Sequence, residues 1–106
     1  MAEININKIQ LVDFLTSFGK DIEDVKLEAN SNNTITVEIA FISHYVRKVL
    51  SINGKVTKAG VIEISDLPKV IRFIKATNSD TIKLKQTASG KTLYVSADAS
   101  KLQIPS

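Results

Sequence analysis

The nine residues Asp66-Leu67-Pro68-Lys69-Val70-Ile71-Arg72-Phe73-Ile74 decide how this chain is read. Leu67, Val70, Ile71 and Ile74 recur at spacings of three and four, the stripe that one face of an α-helix buries. Asp66 stands where an N-cap carboxylate accepts a first-turn N–H, and Pro68 falls in the first turn, where its missing donor costs nothing. Lys69, Arg72 and Lys75 interrupt the apolar stripe, and no acid occurs from Leu67 to Thr77. The spacing predicts a helix that is apolar on one side and purely cationic on the other.

On both sides of this helix the period falls to two, as expected for half-buried strands. Downstream, Ile82 and Leu84 alternate with Lys83 and Lys85, Ser89-Gly90 turns the chain, Leu93 and Val95 alternate with Tyr94 and Ser96, and Lys101 to Ile104 follows a turn at Asp98 to Ser100. Upstream, Val61, Ile62 and Ile64 form a short strand. Before it, Gly54 and Gly60 frame Lys55 and Lys58 in a segment that reads as a loop, opened by the two-residue turn signal Asn53-Gly54. From Phe41 to Ile52, β-branched and aromatic residues predict a strand. Val25, Leu27 and Ala29, then Ile35, Val37 and Ile39 across the polar turn Asn30 to Asn33, predict a hairpin. Leu11, Phe14, Leu15 and Phe18 predict a helix from about Lys8 to Phe18, ended by Gly19, and Ile4 and Ile6 predict a strand before it.

Composition bounds the function. One hundred and six residues, 43% of them hydrophobic, fit one α+β domain with a real core. With no Cys and one His the chain has no thiol chemistry and no imidazole cluster for a metal. His44 therefore receives no role. Asp21, Glu23 and Asp24 lack the spacing of a calcium loop and read as a solvated loop, and no phosphate-cradling glycine motif is present. No nucleophile, paired carboxylates or metal ligands can be assembled, so the expectation is a non-enzyme without cofactor or metal. No apolar run is long enough to cross a bilayer and no signal segment opens the chain, which predicts a cytoplasmic protein, in the host cytoplasm if the source is viral. Fourteen basic side chains against eleven acidic ones favour an acidic partner without requiring one.

The predicted order is strand, helix, three strands, repeated twice. Leu11, Phe14, Leu15 and Phe18 fall on Leu67, Val70, Ile71 and Ile74, and Val25-Lys26-Leu27 on Ile82-Lys83-Leu84. An internal repeat of about 1–52 and 60–106 is the expectation, with two helices on one side of two antiparallel sheets. Two such βαβββ halves resemble one domain of a DNA polymerase sliding clamp, with the closest likeness to the first domain of a phage-type clamp. The helix Asp66 to Ile74, the hairpin around Ser89-Gly90-Lys91 and the segment Ala97 to Ser100 carry the resemblance, which covers essentially the whole chain.

The resemblance implies a ring of six domains, with helices lining the hole and sheets forming the wall, that encircles duplex DNA as a processivity factor. It implies Lys69, Arg72 and Lys75 as DNA-facing residues, with Lys8 and Lys20 secondary because Asp13 interrupts the first helix. It implies as partners duplex DNA of any sequence, a DNA polymerase and a clamp loader, with no membrane. The ring would close by self-association or through covalent neighbour domains, the chain being a complete protein or the first domain of a longer clamp. Tyr45, Val46, Val49 and Leu50, with Leu102 and Ile104, are the candidate subunit or domain interface, because clamps pair their sheet edges across domains. The same segments could instead be internal strands or edges protected by their own charges. The alternative function is a small viral or plasmid α+β interaction module that pairs through a strand edge and never binds DNA.

Overall fold

A computed structural model describes residues 2–18, 22–40, 43, 45–87, 92–98 and 100–105. Strand β1 (Ala2–Asn7) leads into helix α1 (Lys8–Thr16), and β2 (Val25–Asn30), β3 (Thr34–Ala40) and β4 (Tyr45–Ser51) follow. After β5 (Gly54–Lys58) and β6 (Gly60–Ile64) come α2 (Leu67–Ala76), β7 (Thr81–Gln86), β8 (Thr92–Ala97) and β9 (Ser100–Pro105). All pairings are antiparallel. They build a five-stranded sheet A, in the order β5-β1-β7-β8-β9, and a four-stranded sheet B, in the order β4-β3-β2-β6.

The strand before each helix is exchanged. β1 adds to the meander β7-β8-β9, and β6 adds to the meander β2-β3-β4. Each helix therefore spans from one sheet to the other, and the two helices pack against each other. The alternation seen in the sequence sends Ile4, Ile6, Leu27, Ile35, Ile62, Ile82, Leu84, Leu93 and Val95 inward. There they meet Leu11, Leu15, Leu67, Val70 and Ile74 of the helices in one core cluster.

Three expectations are corrected. Residues 54–58 form a strand, not a loop: β5 pairs with β1 at the edge of sheet A, and only Val56 of its five residues is buried. The Asn53-Gly54 signal therefore joins strands of different sheets and closes no hairpin. Helix α1 ends at Thr16, two residues short of Phe18, because Ser17 donates its N–H to Asp13 and Phe14 and its hydroxyl to the Phe14 carbonyl at 2.6 Å. The fourth strand begins at Tyr45; Phe41, Ile42 and His44 lie outside the described residues, as do the turn Ser89-Gly90-Lys91 and Gly19.

Two amide side chains join the sheets. Gln86 of β7 is buried and accepts the Glu63 N–H of β6 at 3.0 Å, while its own amide N–H bonds the Thr92 carbonyl at 3.0 Å. Asn33, in the turn between β2 and β3 with φ of 61°, accepts the Val56 N–H of β5 at 2.9 Å through its side chain and the Ile52 N–H at 3.0 Å through its carbonyl. Each amide reaches from one sheet to one backbone N–H on the last strand of the other. Gln10 fixes the same crossover, donating to the Ser51 carbonyl and accepting from Asn53 N–H.

Gly54 passes so close to β1 that a Cβ there would lie 2.0 Å from the Asn5 carbonyl oxygen. Backbone cannot yield as a side-chain tip can. Gly54→Ala is expected to lower stability by about 2 kcal/mol or more, the range of severe single substitutions, measured by urea unfolding. Gln86→Leu, which keeps volume but strands the Glu63 N–H, should lose about 1 to 3 kcal/mol in the same assay.

Candidate nucleic-acid interface

Helix α2 is positioned at both ends. Asp66 adopts a left-handed backbone (φ 59°), which Asp tolerates better than most residues, and its carboxylate accepts the Lys69 N–H at 3.3 Å. The Glu23 carbonyl takes the Leu67 N–H at 2.7 Å and the Asp66 carbonyl takes those of Lys69 and Val70. Pro68 has no N–H, so every first-turn donor is satisfied. At the other end the Thr77 hydroxyl and N–H both bond the Ile74 carbonyl, at 2.9 and 3.2 Å.

With the helix held there, Leu67, Val70 and Ile74 are buried and Lys69, Arg72 and Lys75 are exposed. At about 100° per residue the three cations span an arc of about 120°, centred almost opposite the buried stripe. None of the three forms an ion pair with a described residue. Lys75 sits in the last turn, where the helix dipole favours a cation, but Lys69 sits in the first turn, where it favours an anion, and that turn holds no acid.

Helix α1 is different. Its exposed side carries Ile9, 70% exposed, with Asp13 and Thr16, and no cation. Lys8 is half-buried and its ammonium donates to the Thr77 carbonyl at 2.6 Å, so it ties the start of α1 to the end of α2. Lys20 lies outside the described residues. Of the five DNA-facing candidates, the structure brings Lys69, Arg72 and Lys75 together on one surface.

The interface candidates fall on the strands at the far ends of the two sheets. β4 is the last strand of sheet B and β9 the last of sheet A. On β4, Tyr45 and Val49 are exposed, while Val46 and Leu50 are half-buried on the inner face. Glu38 on β3 holds this outer surface: it pairs with Arg47 at 3.2 Å, and its hydrogen bond and charge push the Tyr45 hydroxyl above its usual pKa. On β9, Leu102 is half-buried and Ile104 is buried in the core, so a partner would meet this strand through its backbone.

Sequence reasoning missed a second basic surface. The face of sheet A that points away from the core carries Lys55, Lys58, Lys83, Lys85 and Lys101 with one acid, Glu3. Glu3 accepts the Thr57 hydroxyl at 2.8 Å; that bond, with the charges of Lys83, Lys85 and Lys58, holds its carboxyl below the usual range. The alternation of Lys83 and Lys85 with Ile82 and Leu84 was a visible signal, but only the pairing of β5 and β9 into the same sheet makes a surface of it. Among the described residues no group of three His, Asp or Glu is placed to hold a metal ion. Neither helix is long and apolar enough to cross a membrane.

Two antiparallel sheets joined by exchanged strands, with a helix pair packed on them, make this chain a domain with the DNA sliding clamp fold. The DNA polymerase sliding clamp of Bacillus subtilis superposes on 98% of it with a TM-score of 0.79 at 9% sequence identity. The DNA polymerase III beta chain of Streptococcus pneumoniae covers 99% with a TM-score of 0.78 at 15% identity, and the Helicobacter pylori beta clamp bound to a DNA ligase peptide covers 97% with a TM-score of 0.75, also at 15%. The chain spans 30%, 31% and 30% of these three proteins in turn. No family model and no curated protein matches the sequence. Likeness at this level of identity establishes the fold.

The cap that aims the cationic helix is testable. Asp66→Ala is expected to lose about 1 kcal/mol of stability, and NMR should show the amide of Lys69 exchanging faster while the sheet amides keep their protection.

Proposed function

We propose that this chain is a sliding-clamp-like processivity factor or a domain of one, a single domain built from two repeated halves, about 1–52 and 60–106. In this reading it helps to encircle duplex DNA and tether a DNA polymerase. The observation that carries the reading is the face of α2: three cations with no ion-pair partner among the described residues, opposite the core. Lys and Arg spaced along one exposed face attract phosphates through screened, sequence-independent charge and hold no base edge, which suits a protein that must move along the duplex. The fold is that of clamps, which act without catalysis of their own.

The open strands β4 and β9 would supply ring closure, by self-association or with covalent neighbour domains. The Helicobacter pylori clamp takes a DNA ligase peptide, and a polymerase or clamp loader would engage this protein comparably. A viral or phage-like setting and a cytoplasmic location complete the reading. The open β4 edge also favours the second reading, an interaction module that pairs through that strand. Salt separates the two, since phosphate contacts weaken steeply with salt and backbone pairing does not.

The triple variant Lys69→Glu, Arg72→Glu, Lys75→Glu is expected to lose tenfold or more in duplex affinity with an unchanged circular dichroism spectrum. Replacing the same residues by Gln should flatten the logarithmic salt dependence by about 2.7, three contacts at about 0.9 each. Duplex binding that survives charge reversal would sink the assignment. Light scattering over a concentration series reads the closure claim as a particle of about six chain masses if single-domain copies close the ring.

A further inference from the structure

The basic face of sheet A points away from α2 and has no part in the function proposed above. Register orders it. Asn5 pairs with Lys55 on one side and Lys83 on the other, Lys83 pairs with Ser96, and Ser96 pairs with Lys101. One rung across all five strands therefore reads Lys55, Asn5, Lys83, Ser96, Lys101. At about 4.8 Å between strands, the lysines stand about 9.6 Å apart in a row about 19 Å long, separated only by small polar side chains. The adjacent rung adds Lys85, and Glu3 is the only acid among the described strand residues of this face. Sheet B lacks such a row: Lys26 lies 4.0 Å from Glu63 and Arg47 is paired with Glu38.

We propose that the outer face of sheet A is a second nucleic-acid surface, which holds the phosphate backbone of a single strand along the rung Lys55, Lys83, Lys101 without reading its sequence. Three features favour this occupant. Protein interfaces draw most of their energy from aromatic or aliphatic anchors, and this face offers none: its one aromatic, Tyr94, has the Lys101 ammonium 4.4 Å over its ring. Lysines separated by Asn and Ser need no anchor to bind phosphate, because release of condensed counterions supplies the affinity. A flexible strand can lie along a straight rung and offer phosphates to all three ammonium groups, whereas a rigid duplex curves away from a broad sheet. The inference stands on sheet A alone, so it and the role of α2 fail separately.

Fluorescence anisotropy of a labelled oligothymidylate with the intact 106-residue chain tests it. Lys55→Gln, Lys83→Gln, Lys101→Gln is expected to weaken binding about tenfold or more at low salt and to flatten the salt slope by about 2, three contacts at about 0.7 each. The matching Arg variant, which keeps the charge and controls for folding, should bind as the parent does. Charge reversal of the α2 cations should leave oligothymidylate affinity within about twofold. The proposal is overturned by parental affinity in the Gln variant, by lost binding in the Arg variant, or by loss of oligothymidylate binding on α2 reversal. In the chain whose α2 cations are reversed, duplex DNA of equal length bound more tightly than the single strand would also overturn it, as would polyglutamate bound equally well, which would make the face an acidic-protein site.

Discussion

Two side-chain amides, each accepting a backbone N–H from the edge strand of the opposite sheet, tie the two sheets of this molecule together. Gln86 reaches from sheet A to the Glu63 N–H of β6, and Asn33 reaches from sheet B to the Val56 N–H of β5. Without them two strands would end their sheets with unpaired donors at the seam between the layers, where water enters poorly and an orphan N–H costs about 1 to 3 kcal/mol. With them, one N–H on each of β5 and β6 is bonded to the opposite sheet, and β4 and β9 lie at the far ends of the two sheets. The exchange of β1 and β6 depends on the same seam. β1 is hydrogen-bonded on both sides, to β5 and to β7 some 80 residues away, a separation read from Ala2 pairing with Gln86. Such non-local closure is entropically costly to reach and makes the two halves fold as one body.

The helices that the seam supports are unequal. Both present three buried residues to the core, yet α2 displays cations outward and α1 displays Ile9 and Asp13. Lys8, the cation at the start of α1, is spent on the Thr77 carbonyl and so fixes the angle between the helices. Among the described residues, α1 therefore adds no exposed cation to those of α2. Any duplex it meets would be held asymmetrically, mainly by α2, and weak contact of that kind is compatible with motion along DNA.

How much of this was legible in the sequence depended on range. Helix α2 and its Asp66 cap were readable because the cap, the proline and the apolar stripe all lie within one short stretch. The hairpin of β2 and β3 was readable for the same reason, whereas the pattern of β4 and β9 fitted edge and internal strands alike, and only the strand pairing places them at the ends of the sheets. β5 was not readable, because an edge strand that buries only Val56 leaves one apolar position in five and no period to detect. Its identity comes from Asn5 and Asn33, about 50 and 20 residues away. The rung of lysines on sheet A was invisible for a related reason: Lys55, Lys83 and Lys101 become neighbours only through three successive strand pairings.

The open strand β4 shows how the charges and the edges are linked. A seven-residue strand with Tyr45 58% and Val49 54% exposed would be an aggregation risk if it were apolar throughout. Arg47 and Glu38 guard its outer face, and Lys48 guards the inner one, its ammonium donating to the Ser17 hydroxyl at 2.9 Å and resting 5.1 Å from the Phe18 ring. These contacts make indiscriminate stacking of copies unfavourable. In the proposed ring, that is the property a closing edge needs: a free hydrogen-bonding ladder whose flanking charges admit one register and reject the rest. At the opposite ends of the two sheets, β5 and β6 each have one N–H already held by Asn33 and Gln86.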